Sequence, residues 1–523
     1  MGRQTRHLAR GVGALLCLAL ISPTVSAQSA APAAALPDTQ KRYVPGAPVP
    51  VYITTEGGVP ITSRDDYVNG IMLLDGVHHA MEIRGRGNST WTWPKKPYKI
   101  KLANDVALLG TEPRDEWVLL ANYADRSALR TFAAFGLASS TRLAWTPRTR
   151  FVDVVLNGVP QGLYMLTDQV EQGTERVDLP DGGFLLEMNT RFRRQGDRGF
   201  WSEQGMAVSF KDPDEPNRRE RQLVRGVVHR FEKALYGPRF TNPDTGYARF
   251  IDVDSFIDWY LVEELFHNQD SNFFSSVHFT WSPGGDIAMG PVWDFDLSAG
   301  TKWNGVSLTE GYYTRYGRQH WINRMFADPA FTAAVKERWA ELRPVVDAMI
   351  AEIPVAASVI RSSALNNMAI WPTTTESELV GSVHADTFDG EVSFLGSWLT
   401  ARADWMSQDE AIFAMPSRKV RERAQVIDVP VQILGDLARP VQVSYSLLGG
   451  TASLGTDFRM KGGTLTFGPG ESVKTFPVRI LGDRRREGRE TITLQLVQAT
   501  SGVRLSNPSQ VTLTIRRNDL RAR

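Results

Sequence analysis

Apolar and polar residues alternate with period two in Val49-Pro50-Val51-Tyr52-Ile53-Thr54, in Ala80-Met81-Glu82-Ile83 and in Tyr98-Lys99-Ile100-Lys101-Leu102. That period marks strands with one buried face. In the third of them Lys99 and Lys101 share the polar face. Further along, the period lengthens. Leu129, Phe132, Ala133 and Leu137 recur at helical spacing within Ser127 to Ser140, and Phe256, Ile257, Tyr260, Leu261 and Leu265 do so after Asp254, which can cap a helix. A third helical stretch runs from Pro329 to about Ile360. Strands first and helices later predict an α+β domain over 43–415 rather than a doubly wound sheet. From about Val426 the period returns to two: Phe476, Val478 and Ile480, then Ile492, Leu494 and Leu496, then Val511, Leu513 and Ile515. Gly449-Gly450, Gly462-Gly463, Gly468-Pro469-Gly470 and Asn507-Pro508 supply the turns. This texture predicts an all-β sandwich over 426–519, with the charged, aperiodic stretch 416–425 as a linker.

The N-terminus reads differently. Arg3, Arg6 and Arg10 precede an apolar run from Gly11 to Ile21, and Val25-Ser26-Ala27 is a small-residue cleavage pattern. These features predict a secretory signal peptide over 1–27, too short to span a bilayer. The Ala- and Pro-rich stretch 28–42 reads as a disordered leader. Cys17 is the single cysteine, so the processed chain would hold no thiol, which excludes disulfides, thiolate metal sites and cysteine nucleophiles. The 59 basic and 58 acidic residues give no charge surplus for capturing nucleic acid. No second apolar stretch is long enough for a transmembrane segment. The expected location is outside the cytoplasm: periplasmic, cell-surface or secreted.

Three segments carry candidate chemistry. Trp293-Asp294-Phe295-Asp296 places two carboxylates on alternate residues after a strand. Magnesium takes oxygen ligands and fills its shell with water and phosphate, so one or two aspartates suffice to hold it. A plain turn is the other reading of the pair. Asn268-Gln269-Asp270-Ser271-Asn272 follows the second helix, where Asp and Asn also favour turns for local reasons. A predicted hairpin, Val277 to Trp281 and Ile287 to Val292, separates it from the Asp pair. Protein kinases set a proton-accepting Asp and a magnesium-binding Asp in that relation. The third segment, Arg84-Gly85-Arg86-Gly87-Asn88-Ser89, precedes the lysine-bearing strand. Its glycines let backbone amides approach an anion and its arginines add charge, although a hairpin with a solvated basic face reads the same way. It is not a P-loop, because no Gly-Lys-Ser/Thr follows.

Taken in order, these pieces resemble the spore-coat protein H (CotH) kinase family over 45–410. The matching stretches include IRGRGNSTWTWPKKPYKIKL (83–102), WVLLANYADRSALR (117–130), VVLNGVPQGLYMLTDQVE (154–171), GGFLLEMN (182–189), NQDSNFF (268–274), GPVWDFDLSAG (290–300) and RMFADPAF (324–331). The resemblance implies an atypical protein-kinase-like, two-lobed domain with ATP and Mg²⁺ (or Mn²⁺) between the lobes. It implies Asp270 as the catalytic residue, and Asp294 with Asp296 and Asn272 as metal ligands. Lys99, with Lys101 in reserve, would contact phosphates. Arg86, Asn88 and Ser89 would line the nucleotide side, and Arg130, after Asp125, would anchor the lobes. Asp168 stands where the family usually carries Glu, and as a nucleotide-site acid it would reach less far toward the lysine, leaving Glu171 as a substitute.

The C-terminal segment resembles a Calx-beta domain through ASLGTDFRMKGGTLTFGPGES (452–472), VRILGDRRREGRETITLQL (478–496) and RRND (516–519). Some such domains bind Ca²⁺. Here Asp457, Asp483, Glu487, Glu490 and Asp519 remain but Arg484, Arg485 and Arg486 interrupt them, so Ca²⁺ is not expected and adhesion or spacing comes first. The leading functional expectation is a protein kinase acting on exported Ser/Thr-rich proteins. The alternative is a non-catalytic cell-surface module, a pseudokinase with an adhesive sandwich that touches envelope or polysaccharide, to which the 14 tryptophans would lend stacking surfaces. Hydrolase signatures such as Gly-x-Ser-x-Gly and His-Glu-x-x-His are absent.

Overall fold

The computed structural model describes residues 45–516 apart from 111–112, 270–271, 302–308, 314–319, 374–383, 423, 436–438 and 483–487. The signal peptide and leader expected at 1–42 lie outside the described residues. So do Asp270 and the acids Asp483, Glu487 and Asp519.

The first seven strands are β1 (Val49–Thr55), β2 (Val68–Leu74), β3 (Val77–Gly85), β4 (Tyr98–Val106), β5 (Arg114–Leu120), β6 (Thr149–Leu156) and β7 (Val159–Asp168). They close into a barrel in the order β1-β2-β3-β4-β5-β7-β6, sealed by a parallel β1–β6 joint. Period-two patterning fills its interior. In β4 Tyr98, Ile100 and Leu102 are buried, while Lys99 and Lys101 point outward. Ile83, Trp117, Leu119, Val152 and Leu166 pack against them. Two hairpins turn on Asp75-Gly76 and Asn157-Gly158, where φ is positive at both residues (51° and 78°, 50° and 77°). Such residues suit two-residue turns that match strand twist.

The second half is mixed. After α1 (Arg130–Ala138), β8 (Phe184–Met188), β9 (Gly199–Trp201), β10 (Ala207–Asp212), β11 (Val277–Trp281) and β12 (Ala288–Met289) form an antiparallel sheet ordered β12-β11-β8-β10-β9. The other helices are α2 (Phe192–Gln195), α3 (Arg218–Leu235), α4 (Val253–Leu265), α5 (Trp321–Met325), α6 (Pro329–Ile370) and α7 (Phe388–Ser407).

The cap of α4 is Asp252, not Asp254: Asp252 Oδ1 accepts the Ser255 amide at 3.2 Å, and Asp254 pairs with Arg142 at 2.9 Å. The expected apolar face also proved too narrow, since every residue from Ser255 to Leu265 is buried. Asp258 and Glu264 are tolerated there because Arg338 meets Asp258 at 2.7 Å and Arg402 meets Glu264 at 2.6 Å.

Helix α6 begins under an Asp328 cap with proline in its first turn and runs past the expected Ile360 to Ile370. The extra turns have a tertiary cause. Ser363 donates to Asp153 at 2.6 Å, the Leu163 amide donates to Asn367 at 3.2 Å, and Trp371 donates to the Gln161 carbonyl at 2.8 Å, docking the helix on β6 and β7. Gly162, at φ +81°, permits this approach, because a Cβ there would lie 2.5 Å from Asn367 Oδ1.

The C-terminal strands are β13 (Asp409–Phe413), β14 (Arg418–Arg421), β15 (Gln425–Leu434), β16 (Val441–Gly450), β17 (Phe458–Arg459), β18 (Gly463–Phe467), β19 (Val473–Ile480), β20 (Glu490–Ala499), β21 (Val503–Leu505) and β22 (Gln510–Arg516). They make two sheets, β17-β19-β15-β13-β21 and β14-β22-β20-β16-β18. The expected linker is therefore corrected. β13 pairs with β15 and β21, and β14 pairs in parallel with β22, so the sandwich starts before residue 416. Val420 explains the miss: one buried residue among three exposed, charged neighbours leaves no visible periodicity. Among the described residues no helix is long and apolar enough to cross a membrane.

Candidate active-site cleft

A cleft of about 1050 Å³ is lined on one side by the loop after β3 and the outer face of β4, and on the other by β8, β10, β11 and the segment after β12. The first wall is basic. Gly87 sits at φ +85°, and a Cβ there would fall 1.9 Å from Thr90 Oγ1, so a side chain at that position would be strained and would displace Thr90. Arg64 donates to the Gly87 carbonyl at 2.7 Å, and the Arg86 guanidinium lies 5.5 Å over the Trp293 ring. Lys99, on the barrel's outer face, forms an ion pair with Glu116 at 2.6 Å.

The facing wall is acidic at its centre. Asp294, at φ +70°, is half-buried; Ser276 Oγ donates to its Oδ2 at 3.1 Å and Asn268 Nδ2 to its main-chain carbonyl at 3.1 Å. Loss of solvent raises the Asp294 pKa; Arg86 and the Ser276 hydrogen bond oppose that shift, and the charge of Glu187 adds to it. Glu187 Oε1 accepts the Ser276 amide at 2.9 Å, while Lys211 stands 3.5 Å from Oε2 and 3.6 Å from Asp197. His278, the register partner of Glu187, is pushed down to about 4 by burial and is neutral at working pH. Across the cleft mouth, Gln195 Nε2 donates to Asn88 Oδ1 at 2.9 Å and Asn189 Nδ2 donates to Gln195 Oε1 at 2.6 Å, linking the loop after β3 to α2 and β8.

Buried ion pairs fix the scaffold behind. Arg130 pairs with Asp125 at 2.5 Å and donates through Nε to the Ser298 and Ala299 carbonyls at 3.0 and 3.3 Å, tying α1 to the chain just past Asp296. Glu264, held by Arg402, accepts the Tyr313 amide at 2.7 Å, and Tyr313 Oη donates to the Gln269 carbonyl at 2.7 Å.

The cleft brings together Arg86, Asn88, Ser89, Lys99, Asp294 and Asp296 from the sequence-based set. Three others stand apart. Lys101 is exposed and does not line the cleft. Asp168 is fully buried and bound by Arg148 at 3.1 Å and Arg176 at 3.5 Å, so it does not reach the lysine; Glu116 holds that position. Asn272 does not line the cleft either, and its Nδ2 donates to the Tyr313 carbonyl at 3.5 Å. Glu171, named as a substitute acid, pairs with Arg176, and burial pushes its pKa up to about 7.

Sequence reasoning missed Glu187, Lys211, Ser276 and His278. For Glu187 and His278 a signal existed: a lone polar residue inside the apolar runs Phe184–Met188 and Val277–Phe279. The tryptophans are mainly core, with Trp117, Trp259 and Trp321 fully buried and Trp201 the large exposed one among the described residues.

The carboxylates suit a cation that draws most of its shell from a ligand. Among the described residues no group of three or more His, Cys, Asp or Glu side chains forms a complete cage. Asp294 and Asp296 could hold a magnesium that keeps water and phosphate oxygens.

The profile of the CotH kinase protein family matches residues 83–406, and that of the Calx-beta domain matches residues 407–519. Over 100 residues, 19% of this chain, the sequence is 33% identical to the sodium/calcium exchanger Calx of Drosophila melanogaster, covering 10% of that protein. Over 80 residues, 15% of this chain, it is 38% identical to adhesion G-protein coupled receptor V1 of Danio rerio, covering 1% of it. The chain thus spans 10% or less of these curated relatives. Among solved structures, the apo form of the Calx CBD1 domain is similar at 30% identity, covering 21% of this chain and 96% of that one, with a TM-score of 0.20. The CBD12 structure of CALX1.2 is similar at 31% identity over 20% of this chain and 43% of that one, with a TM-score of 0.20.

Proposed function

The chain belongs to the CotH kinase protein family and ends in a Calx-beta domain, and from that premise we propose that it is an exported atypical protein kinase that transfers the γ-phosphoryl group of ATP to Ser or Thr hydroxyls of secreted or surface proteins. In this reading the barrel and the helical region are its two lobes. The observation that carries it is the meeting of Lys99 and the Arg86–Ser89 loop with Asp294 and Asp296 around one cleft. The volume of about 1050 Å³ suits a nucleoside triphosphate with part of an acceptor.

Each residue has a physical task. Lys99, oriented by Glu116, places an ammonium against phosphate oxygens, and Arg86 adds a second cation. Asp294 and Asp296 hold Mg²⁺ or Mn²⁺, which when bound neutralises phosphate charge. Asp270 accepts the proton of the acceptor hydroxyl as its oxygen bonds to the γ-phosphorus and the bond to the bridging oxygen of ADP breaks. Positioning and neutralised charge supply most of the acceleration in such transfers. The sandwich would hold the enzyme near its protein or envelope partner.

The test incubates the purified protein with γ-labelled ATP, Mg²⁺ or Mn²⁺ and a Ser/Thr-rich acceptor. Label should reach the acceptor with wild type, and Asp270→Ala and Asp294→Ala should each abolish it. Undiminished labelling by both variants would refute these roles. No labelling by wild type would leave the non-catalytic surface module.

A further inference from the structure

Ser276 and Asp294 face each other across the acidic wall, and both carry left-handed backbone, at φ +60° and +70°. A residue with a Cβ is strained there, and glycine would remove the strain. Side chains at these two positions therefore hold something that glycine could not. Three contacts show what it is. Glu187 Oε1 accepts the Ser276 amide at 2.9 Å; Ser276 Oγ then donates to Asp294 Oδ2 at 3.1 Å; Asn268 Nδ2 secures the Asp294 carbonyl at 3.1 Å. Glu187 is itself fixed. It projects from β8 beside His278, with Lys211 at 3.5 Å and Asn189 Nδ2 at 3.5 Å from Oε2. With one oxygen occupied by the Ser276 amide and the other facing Lys211 and Asn189, Glu187 serves as an anchor rather than a ligand.

We propose that Glu187 and Ser276 are positioning residues for Asp294: Glu187 holds the Ser276 amide in its strained turn, and the Ser276 hydroxyl fixes the Asp294 carboxylate in the orientation that receives the divalent cation. This rests on the kinase reading of the cleft, in which Asp294 is a cation ligand. An unrestrained aspartate would sample other rotamers and lose cation affinity without any change in its charge.

The experiment measures Mn²⁺ binding to the full chain with ADP by electron paramagnetic resonance, alongside thermal unfolding and ADP affinity without metal. Ser276→Gly is the decisive variant because it relieves the backbone while deleting the hydroxyl. We expect its melting temperature to equal or exceed that of wild type, its metal-free ADP affinity to hold, and its Mn²⁺ affinity to fall about tenfold, the change that corresponds to about 1.4 kcal/mol. Ser276→Ala and Glu187→Ala should weaken Mn²⁺ in the same direction. Wild-type Mn²⁺ affinity in Ser276→Gly overturns the positioning role while the kinase reading stands. Absence of Mn²⁺ binding in wild type overturns both.

Discussion

Arg130 offers the sharpest test of how the scaffold holds the cleft. Its guanidinium and the Asp125 carboxylate are 0% and 1% exposed, 2.5 Å apart, and Asp125 also accepts from the Ser127 amide at 3.1 Å and the Arg130 amide at 2.8 Å. Substituting Arg130→Met leaves a buried carboxylate without its cation and withdraws the donor from the Ser298 and Ala299 carbonyls. Breaking one partner of such a pair costs about 3–5 kcal/mol, whereas removing both charges is often much milder. Asp125→Asn alone should cost a similar amount, because Arg130 is then the unpaired charge. The double variant should be less destabilised than the sum of the two by about 2 kcal/mol, the coupling expected of residues in contact. The assay is denaturant unfolding followed by tryptophan fluorescence. All 14 tryptophans lie between Trp91 and Trp405, so the sandwich contributes no signal and the transition reports the region around the cleft. Hydrogen exchange over 293–300 should rise in Arg130→Met, since those carbonyls anchor the chain after Asp296. Additive single effects, or a loss below about 1 kcal/mol for Arg130→Met, would refute the argument that this pair is a buried, coupled anchor.

Lys99→Met should raise the KM for ATP about tenfold or more, as expected for loss of a charged contact, while Lys101→Met, exposed and off the cleft, should leave it within about twofold; steady-state kinetics on both decides. Burial holds the Glu171 carboxyl at about 7 against an ordinary 4.5, so its contribution to stability is present below the unfolded value and lost as pH rises through about 7. Melting temperatures should therefore fall between pH 5 and pH 8 in wild type, and that component of the slope should vanish in Glu171→Gln. Val420→Asp should destabilise the sandwich by about 2 kcal/mol or more, because it puts a carboxylate into a packed core; tolerance of the change would return this segment to the status of a linker.

Much of the cleft was legible before folding was considered. Glycines flanked by arginines, an alternating lysine strand and an aspartate pair after a hairpin are local patterns, and each reflects backbone chemistry that operates over a few residues. What failed was pairing. Asp168 looked like the lysine's partner because it stands where the resembled family usually carries Glu, yet Arg148 and Arg176 claim it, and Glu116, two strand positions from Val118 opposite Lys99, takes the ammonium instead. Asp254 looked like a cap because it precedes the apolar residues, but Asp252 sits where its carboxylate meets an amide.

The chain's own order of residues determines the barrel strands through period two, the hairpins through Asp75-Gly76 and Asn157-Gly158, the sandwich texture, and which residue types are available to hold phosphate and cation. Those features depend on contacts within one element or one turn. Tertiary structure alone decides which charge meets which: that Lys99 and Asp294 share a cleft, that Glu187 reaches Ser276 from another strand, that Arg130 grips the carbonyls after Asp296, and that β14 leaves the expected linker to pair with β22. Coulombic and hydrogen-bonding energies are set by distance in space, and distances between residues far apart in sequence exist only once the sheets and helices have packed.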